Sequence, residues 1–221
     1  MTQTNTNNNK GKPITIRSKP LFPAQQRIVN DILTNNVRYN IVNASRQFGK
    51  STMVQQLMLY WSLNNPKSRV LYVSPTFLLG KQSWSNIIEG LHGSNVIGEV
   101  NKTDLTISFI NGSEIVYRSA TNPDTIRGGA YDYTVLDECA YMDRYVFESV
   151  IRQSMAVRGK QAVLVSTPKG RDWFHEYALR GMNEEMTNYS YNTGHYSENP
   201  YYNLTEVDDA RKTLPPEPIP P

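Results

Sequence analysis

Two groups of residues in this chain could do chemistry together. The first is the run Ala44-Ser45-Arg46-Gln47-Phe48-Gly49-Lys50-Ser51-Thr52, and the second is Asp137-Glu138 at the end of the apolar run Tyr133-Thr134-Val135-Leu136. A Gly-Lys-Ser triplet closing such a loop suits phosphate: backbone N–H groups cradle the oxygens, the Lys neutralises their charge and the Ser hydroxyl ligates Mg²⁺. The usual pattern is G-x-x-x-x-G-K-[ST], and here Ala44 stands in place of the first Gly. Ser45, Arg46, Gln47, Phe48, Gly49, Lys50, Ser51 and Thr52 are therefore the candidate nucleotide-binding positions. Paired acids after a strand suit a division of labour in which Asp137 shares Mg²⁺ with Ser51 and Glu138 polarises the attacking water; the alternative is a solvated turn. Lys50 would counter the β and γ charge of ATP. Arg46 projects from the loop and either touches the γ-phosphate or braces the loop itself.

These residues need elements to hold them. Tyr39-Asn40-Ile41-Val42 reads as a short strand entering the loop, and residues 53–63 read as the helix leaving it. Upstream, Pro23 sits where a first helical turn accepts proline, opening a helix over residues 24–35. Arg69-Val70-Leu71-Tyr72-Val73-Ser74 is a second strand, followed by an amphipathic helix over residues 76–91 with Leu78, Leu79, Trp84, Ile87, Ile88 and Leu91 on its apolar face. Residues 105–110 and 114–118 flank Asn111-Gly112, a hairpin turn signal, so a β-hairpin is expected at the sheet edge. After the acids come a helix over residues 145–155, a strand over 162–166 and a helix over 171–180. Strand and helix alternate, which predicts an α/β fold: a three-layer arrangement with a mainly parallel central sheet and helices on both faces.

Composition bounds the rest. The chain has 221 residues, enough for one domain with a small appendage, and a net charge of only +3. Arg152, Arg158, Lys160, Lys169 and Arg171 form a stretch without acids between Glu148 and Asp172, readable as a DNA-facing patch or as a solvated face. No apolar run approaches the ~20 residues that span a bilayer, so a soluble, cytosolic chain without membrane contact is expected. Cys139 is the single cysteine, which excludes an intrachain disulfide and a cysteine zinc site, and His92, His175 and His195 lack zinc-like spacing.

Taken in order, these motifs resemble the ATPase domain of the large terminase subunit of tailed phages. Phe22-Pro23-Ala24-Gln25 is similar to the glutamine motif upstream of the phosphate loop. Ser45-Arg46-Gln47-Phe48-Gly49-Lys50-Ser51-Thr52 resembles the deviant terminase loop, in which the first Gly is often absent. Val135-Leu136-Asp137-Glu138-Cys139-Ala140 is similar to the acidic strand end, and Ser166-Thr167-Pro168-Lys169-Gly170 to the coupling motif. The resemblance covers residues 21–203. It implies a P-loop NTPase fold, ATP and Mg²⁺ as ligands, and an ATP hydrolase that drives double-stranded DNA into a procapsid. It further implies a portal protein and a small terminase subunit as partners, a homo-oligomeric ring, pentameric on the portal, and work in the host cytoplasm while docked on the viral procapsid.

The resemblance also assigns roles by residue. Gln25 would read the adenine edge, where the alternative is an exposed helical residue. Arg127, in Arg127-Gly128-Gly129, would be a finger inserted into a neighbouring subunit's site, where the alternative is local pairing with Asp124 or Asp132. Ser166 and Thr167 would couple hydrolysis to movement by sensing the γ-phosphate, or simply cap the following helix. The division expected is an N-terminal arm over 1–20, an ATPase core over 21–185, a lid or linker subdomain over 186–214 and a proline-rich tail over 215–221. Full-length members carry a second, nuclease domain, and no nuclease activity is expected here: Asp208 and Asp209 sit on a polar helical stretch that makes a poor metal site. Two other classes stay open, a helicase-like remodelling ATPase and a nucleotide-dependent binding module with little turnover.

Overall fold

The computed structural model describes residues 20–202 apart from Pro168. Eight strands, β1 (Tyr39–Ala44), β2 (Arg69–Ser74), β3 (Ile97–Asn101), β4 (Thr106–Phe109), β5 (Glu114–Ser119), β6 (Tyr133–Asp137), β7 (Gln161–Ser166) and β8 (Tyr189–Gly194), form one sheet in the order β3-β4-β5-β2-β6-β7-β1-β8. From β5 to β8 every neighbouring pair is parallel, whereas β3–β4 and β4–β5 are antiparallel. The helices are α1 (Pro23–Asn35), α2 (Lys50–Asn64), α3 (Phe77–Gly90), a π-helical stretch (Val146–Ile151) running into the short α4 (Arg152–Ser154), and α5 (Trp173–Met182).

Side chains of a strand alternate between faces, and the central strands feed two separate cores accordingly. Val70, Tyr72, Val135, Val163 and Val165 pack with Ile28, Ile32, Met53, Leu57 and Trp61 of α1 and α2. Leu71, Val73, Leu136, Ala162 and Leu164 pack with Phe147, Val150, Phe174 and Tyr177 on the other face. Strands buried on both faces read as continuous apolar runs, which is why β2, β6 and β7 are recognisable in the sequence.

Several expectations need correcting. The hairpin forms, with Gly112 at φ +79 and its N–H on the Phe109 carbonyl at 2.9 Å. It is not the edge, however, because β3 pairs outside it. That strand is half exposed and interrupted by Gly98, so it carries little strand signal. In α3, Leu78 and Leu79 face solvent, and the inward face runs through Gly80, Ser83, Trp84 and Ile87. A Cβ on Gly80 would stand 2.9 Å from Ser74 Oγ, so small residues are what let the helix approach β2. Over residues 145–155 the backbone widens into a π turn instead of a regular α-helix.

The stretch expected to begin a lid or linker subdomain at residue 186 instead contributes β8, a full member of the sheet beside β1. The core thus extends to at least Gly194. Residues 1–19 of the arm, residues 203–214 of the lid or linker stretch with Asp208 and Asp209, and the proline-rich tail lie outside the described residues. No helix among the described residues is long and apolar enough to cross a membrane.

Candidate active site

The parallel strands β6, β7 and β1 lie side by side and end at one edge of the sheet, so their C-terminal ends bring the sequence-predicted residues together. This is the edge at which open α/β sheets bind ligands. From β1 the chain turns through Ser45-Arg46-Gln47-Phe48 into Gly49, whose φ of +83 only glycine adopts without strain, and α2 starts at Lys50. The unpaired N–H groups of its first turn and the helix dipole favour an anion there.

The loop is braced from beneath. Phe48 is fully buried, edge-on to Phe22 with centroids 5.3 Å apart, and its ring lies over Gly194 of β8. Ser45 donates its N–H to the Gly194 carbonyl at 2.9 Å, and Asn199 Nδ2 donates to the Gln47 carbonyl at 2.6 Å. Gln25 is buried too. Its Nε2 donates to the carbonyls of Phe48 (3.2 Å) and Gly49 (3.0 Å), while Oε1 accepts the Phe22 N–H (3.3 Å). The amide is thus committed to the loop backbone, neither an exposed helical residue nor a free edge presented to a base. Gln25 and β8 thus both support the altered loop, by hydrogen bonds and by packing against Phe48.

Lys50, only 6% exposed, reaches across to the end of β7 and to the acids. Its Nζ donates to Thr167 Oγ1 at 2.6 Å and to the Ser45 carbonyl at 3.3 Å, and pairs with Glu138 Oε1 at 3.3 Å. Ser51 Oγ donates to Asp137 Oδ2 at 2.9 Å, and Tyr72 Oη donates to the same oxygen at 2.7 Å. Burial pushes the Asp137 carboxyl above its ordinary range, against the hydrogen bonds from Tyr72 and Ser51, and the neighbouring Glu138 adds to the push. Asp137 Oδ1 is buried with no hydrogen-bond partner. A buried carboxylate with an orphaned oxygen, beside a hydroxyl whose one proton is already given away, is a donor set that fits Mg²⁺, a hard cation that takes oxygen ligands. No cluster of three or more His, Cys, Asp or Glu suited to a metal exists among the described residues.

Glu138 occupies the left-handed region at φ +54, a conformation that costs a non-glycine residue on the order of 1–2 kcal/mol. Its Oε2 accepts from Ser166 Oγ (3.3 Å) and lies 3.5 Å from the Thr167 N–H, while Ser166 Oγ also accepts the Ala140 N–H (3.2 Å). Ser166 and Thr167 therefore join the acids to the lysine, and neither caps α5, where Asp172 accepts the His175 N–H instead. An open pocket of about 400 Å³ is lined by Arg46, Gln47, Gly49, Lys50, Ser51, Thr52 and Glu138. A second cavity of about 200 Å³, bordered by Gln55, Tyr72, Ser83 and Asn86, reaches Asp137 and Glu138. Arg46 is exposed at the rim of the larger pocket.

Other sequence-predicted residues are not gathered here. Arg127 pairs with Asp124 at 3.0 Å and hydrogen-bonds the Tyr145 hydroxyl, over whose ring it also lies. The basic stretch is split by β7. Arg158 pairs with Asp132 and Lys160 lies over Tyr133, at the start of the strands, whereas Lys169 lies over Tyr141 beyond their other end. It is not one patch. Sequence reasoning missed Tyr72, Gly194 and Asn199. A tyrosine in an apolar strand reads as core, and residues from 189 onward carried no sign of contact with a loop at 45–49.

The family model for the N-terminal part of the terminase large subunit, T4-like virus type, matches residues 41–216. The large terminase subunit of Escherichia phage T5 is 31% identical over 195 residues, 86% of this chain and 44% of that protein. That of Thermus phage G20c is 41% identical over 69 residues, 31% of this chain and 14% of that protein. The chain thus spans less than half the length of these curated relatives. Among solved structures, the ATPase domain of the Thermus phage P74-26 large terminase superposes with a TM-score of 0.73 at 21% identity, over 90% of both chains. The large terminase of bacteriophage HK97 does so with a TM-score of 0.69 at 11% identity, over 83% of this chain and 40% of that one. At such identities the superpositions speak for the fold.

Proposed function

The chain belongs to the terminase large subunit family, and on that premise we propose that it is the motor domain of such a subunit, hydrolysing Mg-ATP to move double-stranded DNA into a procapsid. The observation that carries this reading is the convergence of Lys50, Ser51, Asp137, Glu138 and Thr167 at one sheet edge beside an open pocket floored by a helix N-terminus. A module that only bound nucleotide would have no use for a carboxylate held next to the phosphate lysine.

In this mechanism the first turn of α2 and Lys50 bind the β and γ oxygens. Lys50 then exchanges its contacts with Glu138 and Thr167 for phosphate. That exchange frees Glu138 Oε1, which stands where it can accept the proton of an attacking water arriving from the pocket or the adjoining cavity. Ser51 and Asp137, the latter directly or through water, would hold Mg²⁺, which would supply neutralisation of the phosphate charge. Ser166 and Thr167 touch both the base and the lysine, so a change in phosphate occupancy is felt at the end of β7. Arg46 lies at the pocket rim within the loop, a position suited to γ-phosphate. For Gln25 the role we assign is support of the loop. Contacts with a portal protein and a small terminase subunit, assembly as a pentameric ring and a site at the procapsid in the host cytoplasm belong to the same proposal.

Mg²⁺-dependent ATP hydrolysis, measured in parallel with binding of ATP, tests it. Glu138→Gln is expected to retain binding while turnover falls by about 10²–10⁴, the range for loss of a general base. Lys50→Ala is expected to lose binding. Wild-type turnover in Glu138→Gln would sink the assignment of the base.

A further inference from the structure

Tyr72 lies on β2, beside β6, with its ring buried against Tyr117 at a centroid distance of 5.1 Å. At such a position phenylalanine would fill the core equally well. The hydroxyl instead introduces a buried polar atom, and such atoms are retained where they find a partner. Its partner is Asp137 Oδ2, at 2.7 Å.

The same oxygen accepts from Ser51 Oγ at 2.9 Å, while Oδ1 accepts nothing. A carboxylate held by one donor can turn about its last, soft torsion. Two donors from different elements, α2 and β2, fix its plane. With the plane fixed, the Ser51 proton stays on Oδ2, and its lone pairs are left for a cation at the pocket that Ser51 lines.

We propose that Tyr72 is a positioning residue for Mg²⁺, holding Asp137 in the orientation that turns Ser51 into a lone-pair ligand. The proposal rests on the reading of Ser51 and Asp137 as the Mg²⁺ end of the site. Outer residues that orient metal ligands are worth about 10–100-fold in metal affinity elsewhere.

The test is binding of a fluorescent ATP analogue to the whole chain as Mg²⁺ is raised, with a parallel titration in EDTA. Tyr72→Phe keeps the ring, and Tyr117→Phe removes a neighbouring buried hydroxyl that makes no bond to Asp137. The expected result is that Tyr72→Phe needs about tenfold more Mg²⁺ for half-maximal tightening, with binding in EDTA unchanged, while Tyr117→Phe follows the wild type. A wild-type Mg²⁺ midpoint in Tyr72→Phe overturns the positioning role and leaves the site reading standing. A wild type with no Mg²⁺ dependence at all overturns the site reading, and the proposal with it. Should Tyr72→Phe fail to fold, 3-fluorotyrosine at position 72 retains the ring and hydroxyl with altered donor strength: a shifted midpoint supports the proposal and an unshifted one overturns it.

Discussion

At the level of single residues, this protein places carboxylates in contrasting settings. Asp137 is buried beyond what its two hydroxyl donors offset, and its carboxyl is pushed up. Glu148 is the reverse. Burial raises its carboxyl, but hydrogen bonds from Tyr177 (2.8 Å) and Arg144 outweigh that and hold it below the ordinary range. A depressed carboxyl contributes stability that is complete above its unfolded-state value and is lost as pH falls through the folded-state value. Glu148→Gln is therefore expected to lower the melting temperature at pH 7 by roughly 2–4 °C, a loss on the order of 1 kcal/mol after allowance for its partial exposure. The difference from wild type should shrink on acidification below the ordinary carboxylate range. Equal melting-temperature differences at pH 7 and pH 3 would show that packing, not charge, is what Glu148 provides.

Elements act on the site chiefly through β8. That strand lays Gly194 under the Phe48 ring, where an added Cβ would stand 2.5 Å from Cζ and 2.6 and 2.7 Å from the two Cε atoms. The aromatic ring cannot yield within a loop also pinned by Gln25 and Asn199. Gly194→Ala should therefore push the loop outward at a cost of about 1–3 kcal/mol, the usual range for overpacking. Nucleotide binding is expected to weaken along with thermal stability, because residue 194 meets the loop directly at Ser45 and Phe48. Calorimetry of nucleotide binding checks this, and unchanged affinity would mean that the loop does not depend on β8. In the same way, α3 approaches β2 through Gly80 and Ser83 rather than through the leucines its sequence pattern favours. Close approach puts small residues on the inner face of the first turns and turns Leu78 and Leu79 outward, while Trp84 and Ile87 stay inside as the pattern predicts.

For the whole molecule, assembly bears most directly on Arg127. Within one chain this residue is engaged by Asp124 and Tyr145 and makes no hydrogen bond or ion pair with Lys50, Asp137 or Glu138. If it serves a neighbouring copy, turnover per subunit should rise with protein concentration, and Arg127→Ala should abolish the rise while leaving ATP binding intact; such fingers elsewhere change rates by about 10³ or more. Turnover independent of concentration and of Arg127 would reduce the residue to a local clamp. The sequence by itself pointed to the loop at 44–52, the strand ending in Asp137-Glu138 and the alternation of strands with helices, and the family resemblance added Ser166-Thr167. The first three are legible because a phosphate-type loop is a pattern of residue types at short range and a doubly buried strand is an unbroken apolar run. Only the tertiary structure decided that β8 belongs to the sheet, that Gln25 braces the loop, that Tyr72 donates to Asp137 and that the basic stretch is divided between two ends of β7. Each of these is a contact between residues far apart in the chain or a choice of which face turns inward, and local pattern carries neither.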